Sequence, residues 1–238
     1  MIEISDLTKR FGSKIAVNKI SFNVRSGEIF GFLGPNGAGK TTTIKMIVGL
    51  MSPNEGEIEV AGVNVISDPL ESKRKFSYVP DNPDIYDNMT GLQYLNFLSD
   101  IYNLSKDERK ERIKRYSDEF EMTGNLNDYI SGYSHGMKQK ICLIGALIHE
   151  PEVFILDEPM VGLDPKSAFR LKELMRDRCN NGKSVFFSTH VMEVAEKICD
   201  RLAIIKEGKI IAMGTLDEIK EQAKDEGSLE QIFLELTE

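Results

Sequence analysis

The sequence predicts an α/β domain built on a mainly parallel sheet covered on both faces. Two observations carry that expectation. Short apolar runs of strand length, at 29–33, 153–156 and 184–188, alternate with longer helical segments. A glycine-rich stretch, Gly34-Pro35-Asn36-Gly37-Ala38-Gly39-Lys40-Thr41, joins the first of those runs to a helical pattern over 41–50.

In chain order, residues 1–28 read as short strands and turns. Ile2, Ile4 and Leu7 roughly alternate, and Ser21-Phe22-Asn23-Val24 is a second short strand closed by Ser26-Gly27. The strand 29–33, the glycine-rich loop and the helix follow, with Gly49 near the helix end. Residues 57–60 form a strand between Gly56 and Gly62, and Ser77-Tyr78-Val79-Pro80 forms one that ends at the proline. From Thr90 to about Met122 the pattern turns helical. Tyr94, Phe97, Leu98 and Ile101 fall at i, i+3, i+4, i+7, and Ser105 with Glu108 is a capping-box start for a second, charged helix. This block reads as a helical insertion into the α/β core.

A further helix over 137–149 buries Ile141, Leu143, Ile144, Leu147 and Ile148. The strand 153–156 is ended by Asp157-Glu158-Pro159. A helix over 165–180 stops at Asn181-Gly182, and a strand at 184–188 leads to a helix at about 191–199. Residues 202–205 and 209–212 bracket a Glu207-Gly208 turn and read as a hairpin. Two amphipathic segments follow Thr215.

The chain has 238 residues, 41% of them hydrophobic and 29% charged, an ordinary composition for a soluble globular protein. No apolar run approaches the roughly 20 residues that span a bilayer. Met1-Ile2-Glu3-Ile4-Ser5-Asp6 has no basic or apolar leader, so no signal peptide is expected. Cys142, Cys179 and Cys199 have neither metal nor redox spacing and read as reduced thiols, and the three histidines are scattered. The formal net charge of −8 argues against a nucleic-acid partner. The stretch 106–115 is locally basic and 217–238 is acidic; each reads as a docking surface or, more simply, a solvated helix face.

Strand, glycine loop and helix in that order are the setting in which G-x-x-x-x-G-K-[ST] binds phosphate. Gly34, Gly37 and Gly39 let the backbone turn tightly and bring N–H groups onto phosphate oxygens. The helix start adds partial positive charge. Lys40 then reaches the β- and γ-phosphates, and the Thr41 hydroxyl takes a Mg²⁺ position. Asp157 and Glu158, at the end of a buried strand, stand where open α/β sheets place ligand chemistry. Asp157 fits a Mg²⁺ ligand and Glu158 a base or positioner for attacking water. The alternative is that two acids merely terminate a strand.

Taken together, these motifs make the chain resemble the nucleotide-binding subunit of an ATP-binding cassette (ABC) transporter, over about residues 2–215. The match is an ordered set. Gly34 to Thr41 corresponds to Walker A, and Ser134-His135-Gly136-Met137-Lys138-Gln139 to the signature. Ile155-Leu156-Asp157-Glu158-Pro159 corresponds to Walker B with the catalytic Glu, Gly162-Leu163-Asp164-Pro165 to the D-loop, and Ser188-Thr189-His190 to the switch-histidine loop. The resemblance implies a P-loop NTPase fold with an N-terminal antiparallel β-subdomain and an inserted α-helical subdomain. It implies a single domain: a core of about 1–81 and 151–215, helices over about 82–150, and an acidic helical tail over about 216–238.

By the same resemblance, nucleotide binding falls to Phe11, Gly34, Pro35, Asn36, Gly37, Ala38, Gly39, Lys40, Thr41 and Thr42. Ser134 and Gly136 would be supplied in trans by a second copy or a homologous ATPase subunit. Phe11 would stack on adenine, or else belong to the β-subdomain core; Ser134 is otherwise an ordinary N-cap. Glu158 and His190 are implied as catalytic, Asp164 would sit at the dimer seam, and Thr41, Asp81 and Asp157 are implied for Mg²⁺. The implied function is Mg²⁺-dependent ATP hydrolysis on the cytoplasmic face of the cell membrane, driving a separate transmembrane permease. The permease would meet the chain near Ile85, Tyr86 and Met89, unless those residues are core. The ending Ser228-Leu229-Glu230-Gln231-Ile232-Phe233-Leu234 resembles tails of ATPases that serve ABC-2-type exporters, and no regulatory domain is expected after residue 238. Cargo stays open among drugs, peptides, lipids and ions.

Two positions depart from the family. Asp81 stands where Gln is usual, one methylene shorter than Glu and charged. His135 replaces the first signature Gly, with Met137 in the Gln position, and is expected beside the γ-phosphate site. The rival readings are a soluble ABC ATPase of translation or DNA repair, which usually has two cassettes or long insertions, and a non-hydrolysing sensor, against which Glu158 and His190 argue.

Overall fold

The computed structural model describes residues 1–223 together with Leu229, Gln231 and Phe233. Two sheets make the frame. The first is antiparallel, in the order β2-β1-β4-β5, from β1 (Ile2–Phe11), β2 (Lys14–Val24), β4 (Glu55–Val60) and β5 (Val63–Asn64). The second has six strands in the order β10-β9-β3-β8-β7-β6. Its members are β3 (Ile29–Leu33), β6 (Phe76–Val79), β7 (Val153–Asp157), β8 (Ser184–Thr189), β9 (Arg201–Lys206) and β10 (Lys209–Gly214). All its pairings are parallel except β9 with β10. That hairpin turns at Glu207 and Gly208, both left-handed at φ 49° and 77°, the backbone a tight two-residue hairpin needs.

The N-terminal strands are far longer than the short ones expected. Register shifts interrupt β1 at Ile4/Leu7 and beyond, and Asp6 and Lys19 are left-handed at φ 49° and 50°. Such bulges break the period-2 alternation while pairing continues. Both faces of the parallel sheet are covered, as expected, but by different layers. On the central strands apolar side chains alternate: Phe154 and Leu156 face one core, Val153 and Ile155 the other. The first core is closed by α5 (His135–Leu147) and α6 (Pro165–Asn180). The second is closed by α1 (Lys40–Ile47) and by the antiparallel sheet, with Phe22 of β2 against Phe30, Phe32 and Phe186 at centroid distances of 5.5, 5.5 and 5.8 Å.

Between β5 and β6 lies α2 (Pro69–Lys75), capped by Asp68, which the sequence pattern did not announce. The helices α3 (Gly91–Ile101) and α4 (Lys106–Glu119) both begin in capping boxes, at Thr90 with Gln93 and at Ser105 with Glu108. The apolar stripe on α3 is only half core. Tyr94 is buried and Leu98 packs half-buried against the core, whereas Phe97 and Ile101 are 37% and 54% exposed. Periodicity registers an apolar face but not what covers it. Ile85 and Met89 are half-buried, while Tyr86 is exposed and meets Phe97 edge-on at 5.8 Å. The chain continues through α7 (Met192–Ile198) and α8 (Leu216–Ala223). The second amphipathic segment of the tail lies mostly outside the described residues; Leu229 and Phe233 pack with Leu33, Ala195 and Leu202. No helix among the described residues is long and apolar enough to cross a membrane, and the three cysteines are free.

Candidate active site

Strand order decides the site. β3, β8, β7 and β6 are consecutive parallel neighbours, so their C-terminal ends form one row. That row carries, in turn, the glycine loop after Leu33, His190 after Thr189, Asp157 with Glu158, and Asp81 two residues past Val79. Open parallel sheets bind ligands at this edge. A cleft of about 310 Å³ opens there, lined by Pro35, Asn36, Gly37, Gly39, Lys40, Thr41 and Thr42 of the loop, by Asp81 and Glu158, and by Phe11, Lys14 and Ala16 from the β1–β2 hairpin.

The loop is held by packing as much as by turning. Gly39 sits at φ 114°, and a Cβ there would come within 2.7 Å of the Ala16 carbonyl oxygen. A Cβ on Gly34 would collide with the Ile205 carbonyl and lie 2.9 Å from Ile205 Cγ2. Gly34 and buried Ala38 thus seat the loop on the sheet; neither lines the cleft. The Ala38 carbonyl accepts the Gly208 N–H at 2.9 Å, tying the loop to the β9–β10 turn. Gly39 caps α1 with no side-chain bond, so the first-turn N–H groups face the cleft without an intrahelical carbonyl. Anions favour such a helix start.

Lys40 Nζ is buried and donates to the Gly34 and Pro35 carbonyls at 2.7 and 3.4 Å. It also stands 3.5 Å from Glu158 Oε1. The same carboxylate oxygen lies 3.0 Å from His190 Nδ1, and Glu158 Oε2 accepts the His190 backbone N–H at 3.4 Å. Glu158 is left-handed at φ 46°, a strained backbone for a non-glycine residue. That turn directs its carboxylate to the cleft, with Asp157 buried behind it. Ser188 connects the two acids: its hydroxyl donates to Asp157 Oδ1 and accepts the Glu158 N–H at 3.2 Å.

Asp157 is fully buried, and burial pushes its carboxyl above the ordinary carboxylate range; the Ser188 and Thr41 hydroxyls oppose that shift, while the charges of Asp81 and Glu158 add to it. Its Oδ2 has no hydrogen-bond partner. A buried carboxylate with a free oxygen beside a hydroxyl and a second acid suits a hard cation with oxygen ligands. Among the described residues no group of three His, Cys, Asp or Glu forms a metal site by itself. The oxygen donors of Asp157, Thr41 and Asp81 fit Mg²⁺, which typically binds through one or two carboxylates and the substrate's phosphates. Asp81 is exposed, and its Oδ1 accepts the Asn82 N–H at 2.8 Å.

Phe11 is 48% exposed at the end of β1, on the cleft wall and outside the core that the alternative reading gave it. Ser134 and Gly136 are not brought to this cleft. Ser134 caps α5, its Oγ accepting the Met137 N–H at 3.3 Å, and a Cβ on Gly136 would come within 2.8 Å of the Gly162 carbonyl oxygen. His135 packs its ring against Gly162 of the same chain, which has φ 80°. Asp164 caps α6, accepting from Ser167 N at 2.9 Å and from Lys140 Nζ at 2.8 Å. The Lys140 ammonium and the Ser167 groups hold its carboxyl well below the usual range. Three contributors escaped the sequence reading: Lys14 and Ala16 carry no motif, and Ser188 stood in a quoted motif without a role.

A family model described as "ABC transporter" matches residues 17–161. The chain belongs to the ABC transporter family. It is 37% identical to the ABC-type transporter ATP-binding protein EcsA of Bacillus subtilis, over 100% of this chain and 96% of that protein. The linearmycin resistance ATP-binding protein LnrL of Bacillus subtilis is 39% identical over 90% of this chain and 69% of its own length. A solved structure, described as the ATP-binding subunit of an ABC transporter, superposes with a TM-score of 0.96 at 35% identity, covering both chains completely. The chain is thus an ATP-binding subunit and ATPase of the ABC type.

Proposed function

We propose that this ABC ATPase hydrolyses MgATP at the row of strand ends and drives a separate permease, as an exporter. The observation that carries the reading is that Lys40, Thr41 and Glu158 line one cleft, with Asp157 buried behind Glu158 and His190 bonded to it, while the helix start at Ser134 and Gly136 lies away from it. Lys40 and the loop N–H groups bind the β- and γ-phosphates. Phe11 stacks on adenine, as its exposed ring on the cleft wall allows. Thr41, Asp157 and Asp81 hold Mg²⁺, which when bound neutralises charge on the phosphates. Glu158 orients and deprotonates the attacking water; His190, hydrogen-bonded to it, faces the γ-phosphate.

Ser134 and Gly136 complete the cleft of a second copy or a homologous subunit, so two ATP molecules lie in a sandwich whose closing and reopening moves the permease. The permease docks where Tyr86, Phe97 and Ile101 are exposed, on the cytoplasmic face of the membrane. Relationship to a resistance protein supports export.

The test is Glu158→Gln. The variant should bind MgATP and accumulate as a closed dimer by light scattering, with turnover down about 10²- to 10⁴-fold, the size of a lost general base. Undiminished hydrolysis would refute the role of Glu158, and a monomer under saturating MgATP would refute the sandwich.

A further inference from the structure

The basic stretch at 106–115 has no place in the ATPase chemistry, and the fold gives it a definite setting. A groove of about 360 Å³ runs along α4, walled by α3 and by the turn near residues 123–126. Leu92, Ile113 and Leu126 give it an apolar floor, and Asn96, Arg109, Ser117 and Thr123 complete its walls. Lys106, Lys110 and Lys114 stand along its lip at i, i+4 and i+8, one per helical turn and all exposed. Among the described residues Lys114 pairs with Asp118 at 2.7 Å, whereas Lys106 and Lys110 have no ion-pair partner. This row is cationic on a chain of net charge −8. Leu92 and Phe97 point roughly 140° apart around α3 at 100° per residue, so the groove lies on the other side of α3 from the Tyr86–Phe97 patch.

We infer that this groove receives an acidic amphipathic helix of a partner protein. Floor and lip specify the occupant. From Lys106 to Ser117 the groove follows about 16 Å of helix at 1.5 Å per residue, enough for three turns of a second helix. Carboxylates at i, i+4 and i+8 on such a helix meet the three ammonium groups in register, and its apolar stripe covers Ile113 and Leu126. A fluid lipid surface offers charge without that spacing. Leu229 and Phe233 of the chain's own acidic tail pack elsewhere, beside Leu33 and Leu202.

The probe is a fluorescent synthetic helix with leucines on one face and glutamates at i, i+4 and i+8, titrated into the full chain at low salt. Saturable binding is expected. Lys106→Glu/Lys110→Glu/Lys114→Glu should weaken it about tenfold or more, the sum of three exposed charge pairs, with ATP turnover unchanged; the triple Gln variant should fall between. No binding, or equal binding to wild type and the Glu variant, overturns the inference. So does capture of wild type, but not of that variant, by phosphatidylglycerol vesicles when the peptide fails to bind. In cells, a photo-crosslinker in place of Lys110 should attach to a mapped acidic amphipathic segment, and products lacking any such segment overturn it.

Discussion

Mild acid should loosen the tie between the signature helix and the sheet, through His149. This residue follows α5, and its Nε2 lies 3.3 Å from the Phe76 carbonyl at the start of β6. Its ring stacks on Tyr102 with centroids 3.6 Å apart and planes 3° off parallel. Burial pushes its pKa down from the ordinary 6.5 to about 4, with Arg178 and Arg112 adding to the effect and the Phe76 bond opposing it. Between those values the unfolded chain binds a proton that the folded chain refuses, so stability falls as pH falls. Each tenfold in proton affinity is worth about 1.4 kcal/mol. The full penalty is then about 3 kcal/mol, of which about 2 kcal/mol is reached by pH 5. His149→Phe keeps the stack, gives up the Phe76 bond at every pH, and removes the titration. Urea unfolding at pH 7.5 and pH 5 should show wild type losing about 2 kcal/mol more than the variant. Parallel losses would refute the assignment of a buried neutral imidazole.

Lys40→Ala should abolish tight ATP binding, measured by nucleotide fluorescence, because the phosphates lose the one buried ammonium the loop presents. Asp81→Gln should keep or raise ATP turnover if Asp81 is only a variant metal ligand; a dead enzyme would give its carboxylate a task of its own. Gly34→Ala should lower ATP affinity and cost about 1–3 kcal/mol in thermal or urea unfolding, since the added methyl meets the Ile205 backbone, which has no room to move aside.

The sequence alone determined the chemistry of the loop and the identity of the elements beside it. Gly34 to Thr41 between strand and helix, the Asp157-Glu158 pair closing an apolar strand, and the Glu207-Gly208 hairpin are local features, set by backbone sterics and short-range hydrogen bonds. They stand where expected. The long β1–β2 hairpin was hidden because its bulges at Asp6 and Lys19 break the alternation on which a strand is recognised. The spacing of Phe97 and Ile101 marked a helix correctly, but a helix face open to solvent has the same period as one turned to the core, so it left their exposure undecided. Only the tertiary structure decided which strand ends stand side by side. Parallel pairing in the order β3-β8-β7-β6 brings Lys40, His190, Glu158 and Asp81 together from up to 150 residues apart in sequence. The same packing placed Lys14 and Ala16 on the cleft wall and set the His135 ring against Gly162. Such long-range neighbours are chosen by burial of whole sheet faces, a property of the assembled chain that no single stretch of sequence carries.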